Sequence, residues 1–183
     1  MKEISLNILD ISENSVKAGA LLTEILITED SDTLTFCITD NGSGMTEETL
    51  NAVTNPFYTT RTTRKVGLGI PLLKLACEQT GGDLTITSRH VSEFPHHHGT
   101  TLTARFYKNH LDYPPLGDII STVTTLIQGH PDVDFLFTHK FSDGEVTLDT
   151  RELRGVLDDV PLSTFEVLEW ISENLKEQYK EIK

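Results

Sequence analysis

The sequence predicts an α+β fold, and three observations carry that expectation. Apolar residues recur at helical spacing in residues 3–18 and 70–80, four other runs alternate in the manner of half-buried strands, and glycine or polar clusters punctuate the boundaries. The resulting order is helix, two strands, short helix, lid-like loop, helix, two strands, followed by a further α/β stretch.

Each element has its own reason. In residues 3–18, Ile4, Ile8 and Ile11, with Leu9 and Val16, fall at spacings of three, four and seven, and Gly19 supplies a stop. The runs 21–28 and 33–39 are rich in β formers and flank Glu29-Asp30-Ser31-Asp32, which reads as a hairpin connection. Residues 46–53 form a short helix with Thr46 as N-cap and Glu47 and Glu48 at its positive end. Residues 55–66 read as a loop. A helix over 70–80 follows, with Pro71 tolerated in its first turn and Gly81-Gly82 ending it. Runs 83–88 and 100–107 are strands around the loop 90–99. Pro114-Pro115 marks a boundary, so the chain divides into a domain over 1–112 and a C-terminal extension over 113–183. That extension reads as a helix (116–128), a hairpin (134–149) turning at Ser142-Asp143-Gly144, and a closing helix (163–181) of unassigned role.

Composition narrows the function. With 28 acidic residues against 15 Lys plus Arg, the net charge of -13 opposes general nucleic-acid binding. No run approaches the roughly 20 apolar residues of a membrane span, and the N-terminus lacks a secretory pattern, so a cytoplasmic protein without membrane contact is expected. Cys37 and Cys77 lie in apolar runs without metal-ligand spacing and read as small core residues.

Several clusters carry chemistry. Asp10, Asn14 and Lys17 stand at i, i+4 and i+7 on the first helix, a stripe able to orient water, ligate magnesium and meet phosphate, although alone it reads more readily as a solvated face. Asp40-Asn41-Gly42-Ser43-Gly44-Met45 ends an apolar strand with a carboxylate and two glycines, suited to reading an adenine amino group or simply to an Asx turn. Gly67-Leu68-Gly69-Ile70 would present backbone amides and a helix N-terminus to an anion. Arg61, Arg64 and Lys65 precede it and suit triphosphate charge, or a solvated loop. His90, His96, His97 and His98 form a polar surface loop, since nothing fixes a metal geometry.

The order of these pieces resembles the GHKL superfamily of gyrase, heat-shock chaperone, histidine kinase and MutL ATP-binding domains. Residues 9–20 look like its asparagine box, 40–45 its first glycine box, and Asn55-Pro56-Phe57-Tyr58-Thr59-Thr60 the phenylalanine box of histidine kinases. Gly67 to Ile70, running on to Gly81-Gly82-Asp83-Leu84, resembles the second glycine box, and Gly99-Thr100-Thr101-Leu102 the last. The resemblance implies a Bergerat two-layer α/β sandwich, a mixed β-sheet covered on one face by helices, with ATP and magnesium as ligands. By position, Asn14 matches the magnesium ligand, Lys17 a phosphate-side lysine, and Asp40 the adenine-reading Asp with Gly42 and Gly44 shaping its turn. Phe57 matches the lid anchor, Gly67, Leu68 and Gly69 the lid hinge, and Thr100 the residue supporting Asp40 and the adenine-site water.

Asp10 departs from the Glu usual in hydrolytic members, one methylene longer. It remains the expected general base, with a reach that favours binding over turnover. The chain begins at the asparagine box, so a self-contained histidine kinase is not expected, and its size is closer to that of small stand-alone relatives such as the anti-sigma serine kinases. The implied activity is an ATPase or protein kinase in bacterial regulation, with an unidentified protein partner. The alternative is a nucleotide-gated interaction module with little turnover.

Overall fold

A computed structural model describes residues 3–54 and 69–182. The first helix, α1, spans Ile4–Lys17 and buries Ile4, Ile8 and Ile11 along one stripe, as their spacing requires. Gly19, at φ +76°, then reverses the chain, and its N–H donates to Val16 O at 2.9 Å. Strands β1 (Leu22–Glu29) and β2 (Thr33–Asp40) form a hairpin whose turn is held by Asp30, the Oδ1 of which accepts from Asp32 N and Thr33 N. These three amide and hydroxyl contacts, Thr33 Oγ1 included, hold the Asp30 carboxyl below its usual range.

Next come α2 (Glu47–Thr54), α3 (Gly69–Gln79), β3 (Asp83–Arg89) and β4 (Gly99–Tyr107). Thr46 sits at the start of α2, where its Oγ1 accepts from Thr49 N. The expected loop over 55–66 lies outside the described residues.

The C-terminal stretch supplies α4 (Ile119–Gly129), β5 (Asp134–Lys140), β6 (Glu145–Asp149), α5 (Thr150–Leu157) and α6 (Phe165–Glu181). Helix α4 begins later than the apolar pattern suggests, for two local reasons. The carbonyls of Pro115 and Leu116 accept from Ile4 N and Ser5 N, capping α1, and Asp118 accepts from Ser121 N at 2.9 Å, capping α4. Helix α5 is not legible in the apolar pattern, and it is nucleated by Asp149, which accepts from Arg151 N.

Among the described residues the strands form one sheet in the order β3-β4-β2-β1-β5-β6. All neighbours are antiparallel except β1 and β5, so the sheet is mixed. The fold is the α+β two-layer arrangement the sequence implies. Ile25, Ile27, Leu34, Phe36, Ile38, Leu102, Ala104, Phe106, Phe135 and Phe137 point inward to a core shared with α1, α3, α4 and α6. The alternating residues Thr33, Thr35, Thr39, Thr101 and Thr103 lie on the other, partly exposed face. Cys37 belongs to that face and corrects the expectation of a core cysteine: with Phe36 and Ile38 inward, residue 37 must point outward, and its Sγ accepts from Thr103 Oγ1. Cys77 is fully buried, which pushes its thiol up to about 12. At the β6 edge, Gln178 of α6 bonds both Thr147 N and Thr147 O, occupying backbone groups that would otherwise recruit another strand.

Candidate functional site

The site is built where β2 runs out of apolar sequence. Asp40 ends that strand on its inward face, and Gly42 and Gly44 turn the chain beneath α1. Asp40 Oδ1 accepts from Gly42 N at 2.9 Å and Thr100 N at 3.3 Å, while Oδ2 accepts from Ser15 Oγ at 2.8 Å. The carboxylate is therefore pinned by the glycine turn, by β4 and by α1. A carboxylate oxygen takes two donors, so Oδ1 is filled and Oδ2 keeps one acceptor position.

The glycines have separate causes. Gly44 adopts φ +68°, and a Cβ there would fall 2.0 Å from Arg89 O. Gly42 faces Ala18, whose Cβ and carbonyl would both lie 3.0 Å from an added Cβ. The turn is tied to α1 by Ser43 N, which donates to Ala18 O at 2.8 Å, and His98 donates through Nδ1–H to Gly42 O at 2.5 Å. That histidine bond has no signal in the sequence. Among the described residues no group of three His, Cys, Asp or Glu could hold a metal ion.

Strand register extends the site into a row. Thr23 faces Asp40 on β1, Thr100 faces Asp40 on β4, and Ser88 faces Thr100 on β3. Ser88 Oγ and Thr100 Oγ1 are 2.8 Å apart, and Ser88 Oγ accepts from Met45 N at 2.7 Å. Thr23 is fully buried, and its hydroxyl has no hydrogen-bond partner among the described residues. The sequence reading missed Ser15, Ser88 and Thr23. Ser15 had a faint signal: it follows Asn14 and lies four residues after Ile11, hence on the buried face of α1.

On α1, Asp10, Asn14 and Lys17 occupy one exposed stripe, one turn apart, beside the buried Ser15 that reaches Asp40. The structure thus joins Asp40, Gly42 and Thr100 by direct bonds, sets Gly44 against the Arg89 carbonyl, and places the stripe on the helix that anchors them. Gly69 opens α3, and a Cβ there would meet nothing within 4 Å. Phe57, Arg61, Gly67 and Leu68 lie outside the described residues.

A family model for histidine kinase-, DNA gyrase B- and HSP90-like ATPases matches residues 2–110, more than half of the chain. The chain belongs to that family. As a GHKL ATPase domain it also resembles solved structures in fold. The Aquifex aeolicus MutL ATPase domain, solved with ADP, is 13% identical with a TM-score of 0.56, over 97% of this chain and 70% of that one. The N-terminal domain of a DNA repair protein is 15% identical with a TM-score of 0.51, over 81% of this chain and 52% of that one. The similarity reaches past residue 110, because the MutL match covers nearly the whole chain. No helix among the described residues is long and apolar enough to cross a membrane.

Proposed function

We propose that this GHKL domain binds magnesium-ATP between α1 and the inward end of β2, and that it acts on the γ-phosphate as a stand-alone ATPase or a protein kinase in bacterial regulation. The observation that carries the reading is the Asp40 carboxylate, held by three donors with one acceptor position to spare. Beside it lies a row of hydroxyls, partly buried at Ser88 and Thr100 and fully buried at Thr23, whose unpartnered hydroxyl is polar equipment that an apolar core would not keep without use. The donor set fits the ligand: Asp40 accepts from an exocyclic amine, Asn14 offers a hard amide oxygen to magnesium, and Lys17 an ammonium to phosphate. Arg61, Gly67, Leu68 and Gly69 are proposed to complete the phosphate side, and Phe57 to anchor the lid. Bound magnesium-ATP supplies a transferable phosphoryl group. Asp10, exposed one turn before Asn14, is the proposed general base, and the turn of helix between them puts both on one face. We place the boundary between this domain and its C-terminal extension at residues 112–113, a reading supported by the end of the family match and by Pro115 and Leu116 passing over the α1 N-terminus.

Calorimetry tests the binding site. Asp40→Ala takes the acceptor from the adenine amine and from Gly42 N and Thr100 N, while Ser15 Oγ keeps Ile11 O, so ATP affinity is expected to fall by about tenfold or more, from roughly 1–3 kcal/mol for the unpaired buried amine. Equal affinities would remove Asp40 from the site. Asn14→Ala is expected to weaken binding in magnesium while leaving binding in EDTA nearly unchanged, and an unaltered metal dependence would return the stripe to a solvated face.

A second reading is favoured by one observation, the shorter carboxylate at Asp10, whose reach suits nucleotide-gated partner binding with little turnover. Incubation with γ-labelled ATP separates the two: label in protein means a kinase, label in free phosphate an ATPase, and label in neither the gated module.

A further inference from the structure

We propose that the exposed face of α6, with the segment that leads into it, docks a basic amphipathic segment of a partner protein. The inference is independent of the nucleotide reading. Helix α6 packs on β6 and α4, at the edge of the sheet opposite β3 and α3.

The two faces of this helix are unequally served. Val167, Ile171 and Leu175 recur at spacings of four and are buried against the fold. A solvated outer face would carry polar residues alone, yet Phe165 is 72% exposed and Trp170 50%. Just upstream, Val156 and Val160 are exposed as well. Such residues scattered singly need no explanation, but four of them between residues 156 and 170, rimmed by polar groups, mark an interaction surface. Large aromatic side chains are the anchors that such surfaces use.

The charge around the anchors selects the occupant. No Lys, Arg or His lies between Arg154 and Lys176. Asp158, Asp159, Glu166, Glu169 and Glu173 do, all exposed and none ion-paired with another described residue. On the helix, Glu166 stands four residues before Trp170 and Glu173 three after it, so each is one turn away on the same face, and Glu169 stands likewise to Phe165. A lysine or arginine laid over the Trp170 ring gains the cation–π attraction and a carboxylate on either side. Other occupants meet repulsion. Nucleic acid and an anionic lipid surface carry the sign of the rim. A second copy of this chain in a two-fold contact would set the same carboxylates against one another, in a chain of net charge -13. A basic amphipathic segment satisfies both parts of the surface, its apolar stripe against the aromatics and valines and its cations against the glutamates.

Trp170 is the sole tryptophan, so its emission reports on this surface directly. The probe is an amphipathic helix of roughly 15 leucine and lysine residues, compared with the same peptide carrying glutamate for lysine. Binding to the full chain is followed by fluorescence anisotropy of the labelled peptide, and by Trp170 emission with the unlabelled one. Wild type is expected to bind the lysine peptide about tenfold or more tightly than the glutamate peptide, with a blue shift of Trp170 emission. Phe165→Ala with Trp170→Ala removes the anchors and keeps the charge, whereas Glu169→Lys with Glu173→Lys keeps the anchors and reverses the rim. Each pair should weaken the lysine peptide about tenfold or more. All four side chains are exposed, and circular dichroism checks that the variants are folded. Asp143→Lys with Glu145→Lys makes the same change of net charge near the other end of α6, where Gly144 approaches Ile182. Lying beyond a Debye length of about 8 Å from the anchors, that pair should leave affinity within about twofold. An equal loss in it would reduce the effect to overall charge and overturn the docking site, as would unshifted Trp170 emission or equal affinity for the glutamate peptide. Self-association that shields Trp170 would make a second copy the occupant, and binding to phosphatidylserine vesicles a lipid surface; either result overturns the assignment to a basic protein segment.

Discussion

Gly99→Ala is expected to be among the most damaging single substitutions in this protein, because the added methyl has nowhere to go. Gly99 opens β4 at φ +136°, a region that L side chains rarely adopt, and an ideal Cβ would lie 1.9 Å from Asp40 O and 2.9 Å from Asp40 C. Both obstacles are backbone, so no side-chain rotation relieves them. Strain at such a φ costs roughly 1–3 kcal/mol and forced overpacking roughly 1–3 more, which gives a destabilisation on the order of 4 kcal/mol. Relief by moving β4 away from β2 would break the Asp40 to Thr100 pairing that locates the carboxylate. The substitution should therefore lower the denaturant midpoint and abolish measurable ATP binding together. Gly69→Ala is the matched control, since a Cβ there meets open space at a helix start, and its stability should be unchanged or slightly raised. A Gly99→Ala protein within about 0.5 kcal/mol of wild type would show that the β2–β4 junction is looser than drawn.

Those glycines illustrate how the fold was readable. Gly19, Gly44 and Gly99 sit where periodicity switches or a motif demands a turn, and local signals of that kind located α1, α2, α3 and the strands β1 to β4 within a residue or two. Capping decided the errors. The start of α4 depends on Asp118 and on carbonyls at Pro115 and Leu116 that bond to α1, more than a hundred residues away in sequence, and α5 depends on Asp149 as N-cap, with Thr150 as its only fully buried residue. Neither leaves an apolar period. Sheet order was likewise out of reach, because the parallel placement of β5 against β1 is a tertiary choice that Leu22 to Thr28 do not encode locally. The site divided in the same way. Asp40, Gly42, Gly44 and Thr100 were legible as motif residues, whereas Ser88 and Thr23 become visible only once register sets them in line with Asp40.

Acidification is expected to weaken the fold between pH 7 and 5 through one residue, His139, at the opposite end of β1 from Asp40. Its imidazole is 1% exposed on β5. Nε2 lies 3.2 Å from Glu29 Oε2, Nδ1 lies 2.8 Å from Tyr179 OH, and the Phe141 ring stacks at 4.1 Å. Glu29 is in turn bonded to Lys108 Nζ at 2.7 Å. In the neutral ring, Nε2–H donates to Glu29 and Nδ1 accepts from the Tyr179 hydroxyl, so every polar atom is used. Burial pushes the imidazole below its ordinary 6.5, Lys108 adds to that, and Glu29 opposes it only in part; burial and Glu29 together push the Tyr179 hydroxyl up and keep that neighbour neutral. A histidine depressed in the fold contributes stability that is whole above pH 6.5 and is lost as pH falls through the folded value, because the unfolded chain binds the proton first. The depressed carboxyls Asp30, Asp118 and Asp149 do not confuse the reading, since their contributions are present above the ordinary 3.8 and disappear only below it. His139→Gln should lower stability at pH 7 by about 2 kcal/mol, the scale of a buried hydrogen bond with imperfect packing, and should flatten the dependence between pH 7 and 5. Urea denaturation of both proteins at several pH values measures this directly. If the variant keeps the wild-type slope over that interval, another group carries the acid sensitivity and His139 serves only as packing between β1, β5 and α6.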